Sequence, residues 1–301
     1  MFQEKIKQYV LDNTNLVTMR ESPVFLGLFV LKYKKTVFFK ALWNEYLEQC
    51  RGTVVDKDFN IVSYPFTKIY NYGIEKSAPT LDGSTPVTAY RKVNGFMVAI
   101  SFYKGDVLVS TTGSTSSSFV DMAKEMMLSH AKWEDWQLAM CSADMQNMTF
   151  MFECVHPTDP HIIPEKSGMY ILGYRENKWN SPVGHNKEVL DSLAEKFSCY
   201  APEHCDVTVE ELQSLTLTCK HEGYVAYTVD NQSFKIKSPY YLTNKWVARN
   251  PKIDKILDLR HDIKLRIDEE YHGVIDAIRN NATAYSAMSE QERLAWIRAM
   301  F

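Results

Sequence analysis

The chain of 301 residues has no long apolar segment and no excess of charge of either sign. Its longest apolar run, 24–31, is far shorter than the ~20 residues that cross a bilayer, so we interpret it as a strand and expect no membrane contact. The formal net charge is -3, from 34 Lys and Arg against 37 Asp and Glu. This balance excludes a protein that coats nucleic acid with its whole surface, because such binding neutralises many phosphates. Any polyanion must bind at a local patch.

Cysteine, glycine and proline are scarce, at 6, 12 and 11 residues. The cysteines form no Cys-x-x-Cys pair and no regular spacing, which argues against a zinc site and a disulfide framework. Composition also excludes disordered and fibrous classes. Near the N-terminus, charged residues alternate with Phe2, Ile6 and Val10, which predicts an amphipathic helix rather than a signal peptide. We therefore expect a cytoplasmic protein, in the host cytoplasm if the source is viral.

Strand and helix signals are mixed without strict alternation, which predicts an α+β fold. The patterns predict hairpins at 95–111 and 224–237, a strand at 36–39 and a helix at 41–49. From Asn250 and Pro251 onward, apolar residues at helical spacing up to Ile278 predict one long amphipathic helix. The sequence thus predicts a domain at 1–245 and a C-terminal all-helical module at 246–301.

Several charged residues stand at predicted strand ends. Lys235 and Lys237 have period-two spacing, so both amines project from one face, where they must be solvated or share an anion. Glu222 begins the partner strand of that hairpin, and Lys92 immediately precedes another hairpin. Glu153 lies among apolar strand residues, where a carboxylate needs a cation, a donor or a ligand. Each residue alone also fits a structural role, such as a solvated strand end or a simple ion pair.

Taken in chain order, four motifs resemble the nucleotidyltransferase signature of ATP-dependent polynucleotide ligases and mRNA capping enzymes. The motifs are Lys92-x-Asn94-Gly95, Phe152-Glu153, Glu222-Gly223 and Lys235-x-Lys237. The resemblance is closest to the bacteriophage-type RNA ligases that seal breaks in tRNA, and it covers most of residues 40–245. Flanking segments that also resemble this family are Cys50-Arg-Gly52, Pro65-Phe-Thr-Lys-Ile-Tyr-Asn-Tyr-Gly73, Phe152-Glu-Cys-Val-His-Pro-Thr158, Arg175-Glu-Asn177, Glu222-Gly-Tyr-Val-Ala226 and Phe234-Lys-Ile-Lys-Ser238.

The resemblance implies an α+β nucleotidyltransferase domain, with ATP-grasp-like antiparallel sheets flanked by helices, followed by a small all-helical module. It implies an ATP-dependent RNA ligase that joins RNA 5′-phosphate and 3′-hydroxyl ends through lysyl-AMP and RNA-adenylate intermediates, in RNA or tRNA repair. The expected partners are RNA ends in single strands or nicked loops, bound by a monomer.

The resemblance also implies a role for each matching residue. Lys92 is the expected nucleophile, and because a free lysine amine has a pKa of ~10.4, the neighbouring cations Lys235 and Lys237 would lower that pKa as well as bind the α-phosphate. Glu222 is the expected ligand of Mg²⁺ or Mn²⁺ or of its water, and Glu153 is expected to contact the ribose or a metal-bound water. The expected ATP-binding residues are Arg51, Lys68, Tyr70, Asn94, Gly95, Glu153 and Gly223.

Two positions depart from the family pattern: Asn94 replaces an aspartate, and Thr112 stands where the family has a basic residue that contacts phosphate. These departures leave open a catalytically weakened protein that binds nucleotide or RNA ends. A DNA ligase or a capping-type nucleotidyltransferase is the other alternative.

Overall fold

The computed structural model describes residues 2–159, 161–249, 254–260, 262–265, 267, 269 and 272–299. The strands are β1 (Val17–Glu21), β2 (Leu28–Tyr33), β3 (Arg51–Asp56), β4 (Ile61–Ser63), β5 (Tyr70–Asn71), β6 (Pro86–Arg91), β7 (Phe96–Tyr103), β8 (Asp106–Thr111), β9 (Met148–Val155), β10 (Gly168–Glu176), β11 (His204–Thr208), β12 (Gly223–Thr228) and β13 (Ser233–Lys237). The α-helices are α1 (Phe2–Asp12), α2 (Lys35–Phe39), α3 (Ser118–His130), α4 (Trp133–Met140), α5 (Lys187–Lys196), α6 (Val209–Thr218), α7 (Pro239–Arg249), α8 (Asp254–Leu257), α9 (His272–Asn280), α10 (Ala282–Ala287) and α11 (Glu290–Ala299). None of the described helices is both long and apolar enough to cross a membrane.

The chain divides into two compact units, each built from separate chain segments. Unit 1 comprises Met1–Val37, Leu42–Lys68 and Val93–Pro202, and unit 2 comprises Phe38–Ala41, Ile69–Lys92 and Glu203–Phe301. The boundary predicted between residues 245 and 246 falls inside α7, and the division into 1–245 and 246–301 stays a prediction.

Unit 1 contains two antiparallel four-stranded sheets, in the orders β1-β2-β3-β4 and β10-β9-β7-β8. The predicted N-terminal helix is confirmed, because α1 buries Ile6 and Val10 in the core formed with the first sheet. The predicted hairpin at 95–111 is also confirmed. Its turn residues Lys104 and Gly105 both have positive φ, at 51° and 85°, as a tight two-residue hairpin turn requires.

Unit 2 contains a five-stranded sheet in the order β11-β6-β12-β13-β5, in which β5 joins β13 in parallel and the other pairs are antiparallel. One face of the sheet packs on α6, where Phe234 contributes to a buried apolar cluster with Val209 and Leu212. Because successive strand residues point to opposite faces, Lys235 and Lys237 project from the face opposite this cluster. Helix α6 begins with a capping box, in which Thr208 and Glu211 form reciprocal side-chain to backbone hydrogen bonds.

The predicted strand at 36–39 and helix at 41–49 are both wrong. Residues 36–39 lie in α2, and 41–49 contains only the 3-10 turn Leu47–Gln49. Asn44 explains the missing helix, since its side-chain oxygen accepts hydrogen bonds from the backbone N–H groups of Tyr46 and Leu47 at 3.1 and 2.9 Å. Such side-chain bonds favour a turn over a continuous helix. Ala41 adds a positive φ of 49°, which is incompatible with a helix interior.

The prediction of a single long C-terminal helix is also wrong, because α8 and α9 are separate short helices. Aspartate side chains interrupt the helix between them. Asp258 accepts a hydrogen bond from the backbone N–H of Arg260 at 3.0 Å, and Asp262 accepts one from Lys264 at 3.1 Å. These local bonds replace backbone bonds that a continuous helix would make. Asn250 and Pro251, where that helix was predicted to begin, lie outside the described residues.

Candidate active site

Three charged side chains meet at one end of the central strands of the unit 2 sheet. Lys92 follows β6, Glu222 precedes β12, and Lys237 ends β13. The strand register brings them together: the backbone N–H of Lys92 donates to the carbonyl of Gly223 at 2.8 Å, and Gly223 is the partner of Lys237 across the β12–β13 pair. The oxygen Glu222 Oε1 lies 3.1 Å from Lys92 Nζ and 3.4 Å from Lys237 Nζ. One carboxylate oxygen therefore contacts two ammonium groups.

Burial sets the energetics of this cluster. The exposed fractions of the side chains are 3% for Glu222, 9% for Lys237 and 23% for Lys92. A carboxylate so deeply buried needs a positive charge beside it, and each partly buried lysine needs a negative one. The least buried member, Lys92, is the one through which a solvent-borne reagent can reach the cluster.

Lys235 lies two residues before Lys237 on β13, so the two side chains share a face. Lys237 also faces Tyr241, with Nζ 5.2 Å from the ring centroid. Lys245, which no sequence motif indicated, has its Nζ 5.6 Å from the same centroid and is 5% exposed. The i,i+4 spacing of Tyr241 and Lys245 on one helix was the available signal.

The backbone beside Glu222 requires glycine at position 223. Gly223 has a φ of 129°, and a Cβ there would overlap the carbonyl oxygen of Ile236 on the neighbouring strand. The preceding His221 accepts a hydrogen bond from the Gly223 N–H through Nδ1 at 3.2 Å. Burial, with a smaller effect from the positive charge of Arg91, lowers the pKa of His221 below its ordinary value. The neutral ring thus holds the loop that carries Glu222.

A cavity of about 300 Å³ in unit 2 lies along β5 and β13. Its lining includes Lys235 and Lys237 of β13, Asn71 of β5 and the next residue, Tyr72, as well as Gln213, Thr216 and Leu217 of α6. Its volume is at the lower end of the range for small-molecule sites. Tyr70, the predicted nucleotide-pocket residue, lies on β5 as well, is 7% exposed, and pairs in register with Phe234.

Unit 1 holds the remaining predicted residues. Glu153 on β9 is 8% exposed, and its Oε1 accepts a hydrogen bond from the backbone N–H of Gly95 at 3.0 Å. The expected need of this carboxylate for a partner is thereby confirmed. The side-chain oxygen of Asn94 accepts a bond from the backbone N–H of Ile163 at 3.0 Å.

Arg51 and Lys68 also belong to unit 1. Arg51 is half-buried at the first position of β3. Lys68 is 5% exposed, and its Nζ lies 4.8 Å from the ring centroid of Trp43, a distance typical of a cation–π contact.

The described residues contain no group of three or more His, Cys, Asp and Glu side chains that could enclose a metal ion. A hydrated Mg²⁺ does not need one, because it keeps several waters and binds through one or two carboxylates and substrate phosphates. Glu222 is a buried carboxylate beside Lys92, the expected nucleophile, and Lys237, an expected phosphate contact, and it fits that mode.

A family model described as RNA ligase matches residues 49–241, more than half of the chain. This chain belongs to the RNA ligase family. Among solved structures, an archaeal ATP-dependent RNA ligase (form 2) is similar at 14% identity with a TM-score of 0.58, covering 98% of this chain and 75% of that one. A putative ATP-dependent DNA ligase from Aquifex aeolicus is similar at 15% identity with a TM-score of 0.56, covering 98% and 77%. The predicted α+β nucleotidyltransferase fold is therefore confirmed.

The region that matches the RNA ligase family contains every predicted site residue. In unit 2 these are Tyr70, Lys92, Glu222, Gly223, Lys235 and Lys237; in unit 1 they are Arg51, Lys68, Asn94, Gly95 and Glu153. Within unit 2, the structure brings Lys92, Glu222 and Lys237 into direct contact. Helices α8 to α11 lie beyond the matched region.

Proposed function

We propose that this chain is an ATP-dependent RNA ligase that joins RNA 5′-phosphate and 3′-hydroxyl ends through a lysyl-AMP and an RNA-adenylate intermediate. Membership of the RNA ligase family supports ligase chemistry on RNA. The ATP-dependent enzymes among the structures that share its fold support ATP as the energy source.

The observation that carries the proposal is the contact of one Glu222 carboxylate oxygen with both Lys92 and Lys237. A lysine nucleophile must be held in place and partly exposed, beside cations that stabilise the charge of a transferring phosphate. Lys92 meets these requirements, since it is paired at 3.1 Å, 23% exposed, and linked through one carboxylate oxygen to a second lysine.

The reaction follows from these roles. The deprotonated amine of Lys92 attacks the α-phosphorus of ATP, an N–P bond forms, and the bond to the leaving pyrophosphate breaks. Lys235 and Lys237 contact the α-phosphate, while Arg51 and Lys68 bind the departing phosphates. An oxygen of the RNA 5′-phosphate then displaces Lys92 from the adenylyl group, and the RNA 3′-hydroxyl displaces AMP to form the phosphodiester.

Glu222 and Glu153 are the proposed residues for Mg²⁺ or Mn²⁺. When bound, the ion would neutralise charge on the phosphates during transfer. Glu222 would bind it or its waters directly, and Glu153 would contact the ribose or a metal-bound water. The same proposal includes a monomeric protein that acts in the cytoplasm in RNA or tRNA repair. Its proposed substrates are RNA ends in single strands or nicked loops.

Covalent labelling tests the first step. The protein is incubated with Mg²⁺ and either α-labelled ATP or α-labelled GTP, then separated on a denaturing gel. We expect label from ATP in the parent and none in Lys92→Ala, because only Lys92 supplies the attacking amine. Lys57→Ala, which removes an exposed lysine from the turn between β3 and β4, is the matched control and should label as the parent does.

Two results would contradict the proposal. Equal labelling of Lys92→Ala and the parent would mean that another residue is the nucleophile. Label from GTP alone would favour capping chemistry. Sealing assays on a nicked RNA hairpin loop, an RNA duplex nick and a DNA duplex nick then separate RNA ligation from the DNA-joining alternative.

A further inference from the structure

Unit 1 contains a pair of cations on neighbouring strands. Lys32 of β2 and Arg51 of β3 are direct partners in the antiparallel register, and like charges in that arrangement repel each other. On its other side, Lys32 pairs with the uncharged Thr18 of β1. Among the residues that the structure describes, neither Lys32 nor Arg51 has a carboxylate within ion-pair distance. Lys32 is exposed and Arg51 is half-buried, so the pair presents positive charge to solvent, where an anion can bind.

The backbone around this pair is shaped so that Lys32 reaches the end of β8. The register shifts beside Gly52, whose φ is 100°, and a Cβ on Gly52 would lie 2.8 Å from the carbonyl oxygen of Thr111 and the Cα of Thr112. A Cβ on Gly113 would lie 2.6 Å from Lys32 Nζ. Two glycines thus let β3 and the Lys32 side chain pack directly on the end of β8.

The segment that Lys32 contacts is rich in hydrogen-bond donors and contains no acid. Residues 110–118 consist of serine and threonine apart from Gly113, and all of them except the buried Ser110 and Thr115 are at least partly exposed. Ammonium, guanidinium, hydroxyl and backbone N–H groups are the donors that bind phosphate oxygens in proteins. The chemistry of this surface therefore matches a phosphate rather than a neutral ligand.

We propose that Lys32 binds the terminal phosphates of the nucleoside triphosphate together with Arg51. This inference rests on the proposed function, in which Arg51 contacts the departing phosphates. It also accounts for Thr112, where the family resemblance implies a basic residue, because the ammonium group of Lys32 on β2 lies next to the adjoining Gly113.

A binding experiment tests the site without relying on turnover. Inorganic tripolyphosphate is titrated calorimetrically into the parent, Lys32→Ala, Lys32→Arg and Lys57→Ala. We expect Lys32→Ala to bind about tenfold more weakly, the effect of losing one charge-assisted hydrogen bond. Lys32→Arg should retain most of the affinity. Lys57→Ala removes a lysine charge just after the far end of β3 and should bind tripolyphosphate with the affinity of the parent. Equal affinity of Lys32→Ala and the parent would overturn the inference.

Step-resolved kinetics then identify the phosphate. For Lys32→Ala, the KM for ATP in self-adenylylation should rise about tenfold with a smaller change in kcat, and Lys32→Ala/Thr112→Lys should recover part of the loss. If the variant keeps the parent KM and loses activity only in sealing pre-adenylylated RNA, the site binds RNA phosphate and the inference is wrong. If the parent forms no covalent AMP, the proposed function fails, while the tripolyphosphate titration still decides the role of Lys32.

Discussion

Replacing Glu222 with glutamine tests whether the contacts of its carboxylate stabilise unit 2. With an effective dielectric constant of about 20, ion pairs at 3.1 and 3.4 Å are each worth about 5 kcal/mol of attraction, most of which offsets the desolvation of the buried charges. Glu222→Gln leaves Lys237, whose side chain is 9% exposed, without this counter-charge. Lys92, at 23% exposure, can turn towards water. We therefore expect a loss of about 2–4 kcal/mol in the free energy of unfolding.

Urea denaturation of the parent and Glu222→Gln measures this loss. Glu210→Gln, which removes an exposed carboxylate at the start of α6 in the same unit, is the control and should change stability by less than about 0.5 kcal/mol. Adding Lys237→Met to Glu222→Gln removes the lysine charge that has lost its contact with Glu222, so Lys237→Met should be less destabilising in Glu222→Gln than in the parent. A loss below about 0.5 kcal/mol for Glu222→Gln, or additive effects of the two substitutions, would refute the reasoning.

Two further predictions concern the loop beside Glu222. Gly223→Ala should destabilise the protein by about 1–3 kcal/mol in thermal or urea unfolding, because a Cβ there overlaps the Ile236 carbonyl, whereas Gly105→Ala, also at positive φ but with open space around it, should be milder. For His221, the lowered pKa in the folded state means that the unfolded chain binds more protons near pH 6.5, so stability should fall as the pH is lowered through that value. His221→Asn keeps an acceptor for the Gly223 N–H and should reduce the fall in unfolding midpoint between pH 7.5 and 5.5; an unchanged fall would exclude His221 as its source.

The sequence predicted most of the charged cluster because local rules determine its geometry. Period-two spacing places Lys235 and Lys237 on one face, and a short hairpin brings the start of one strand beside the end of the next, which is where Glu222 meets Lys237. Bringing Lys92 to the same place requires β6 to pair with β12, and no spacing within the sequence specifies that pairing. The family resemblance provided the prediction that local patterns could not.

The errors between residues 36 and 49 have a different cause. Residues 36–39 are β-branched and aromatic, a composition that favours a strand, yet they form a helix in which Val37 is fully buried. Burial of one apolar residue in the unit 1 core outweighs such a weak local preference. The failure of the following helix depends on one Asn44 side chain, because a residue that accepts two backbone N–H bonds can end or prevent a helix without changing the apolar pattern.

Resemblance to a family did not distinguish residues of the candidate site from residues that stabilise the fold. The segment 175–177 matched the RNA ligase pattern, but its side chains stabilise unit 1. Arg175 is 4% exposed, and its guanidinium carbon lies 3.5 Å from the ring centroid of Tyr64. The side chain of Asn177 donates to the carbonyl of Val62 at 3.0 Å. Conversely, Lys32 lies in no matching motif. Its position became informative only through the register of β2 with β3 and the packing on Gly113.

The contact of Glu222 with both lysines changes how the cluster should work. The family resemblance implies that Glu222 binds a metal ion and that Lys92 lies among cations, and the structure adds that one Glu222 oxygen contacts both Lys92 and Lys237. Two ammonium groups so close together would separate without this carboxylate. Because the anion that holds them is part of the protein, the two lysines are positioned before any phosphate binds. An arriving triphosphate would then meet preorganised donors, the condition under which electrostatic stabilisation contributes most to phosphoryl transfer.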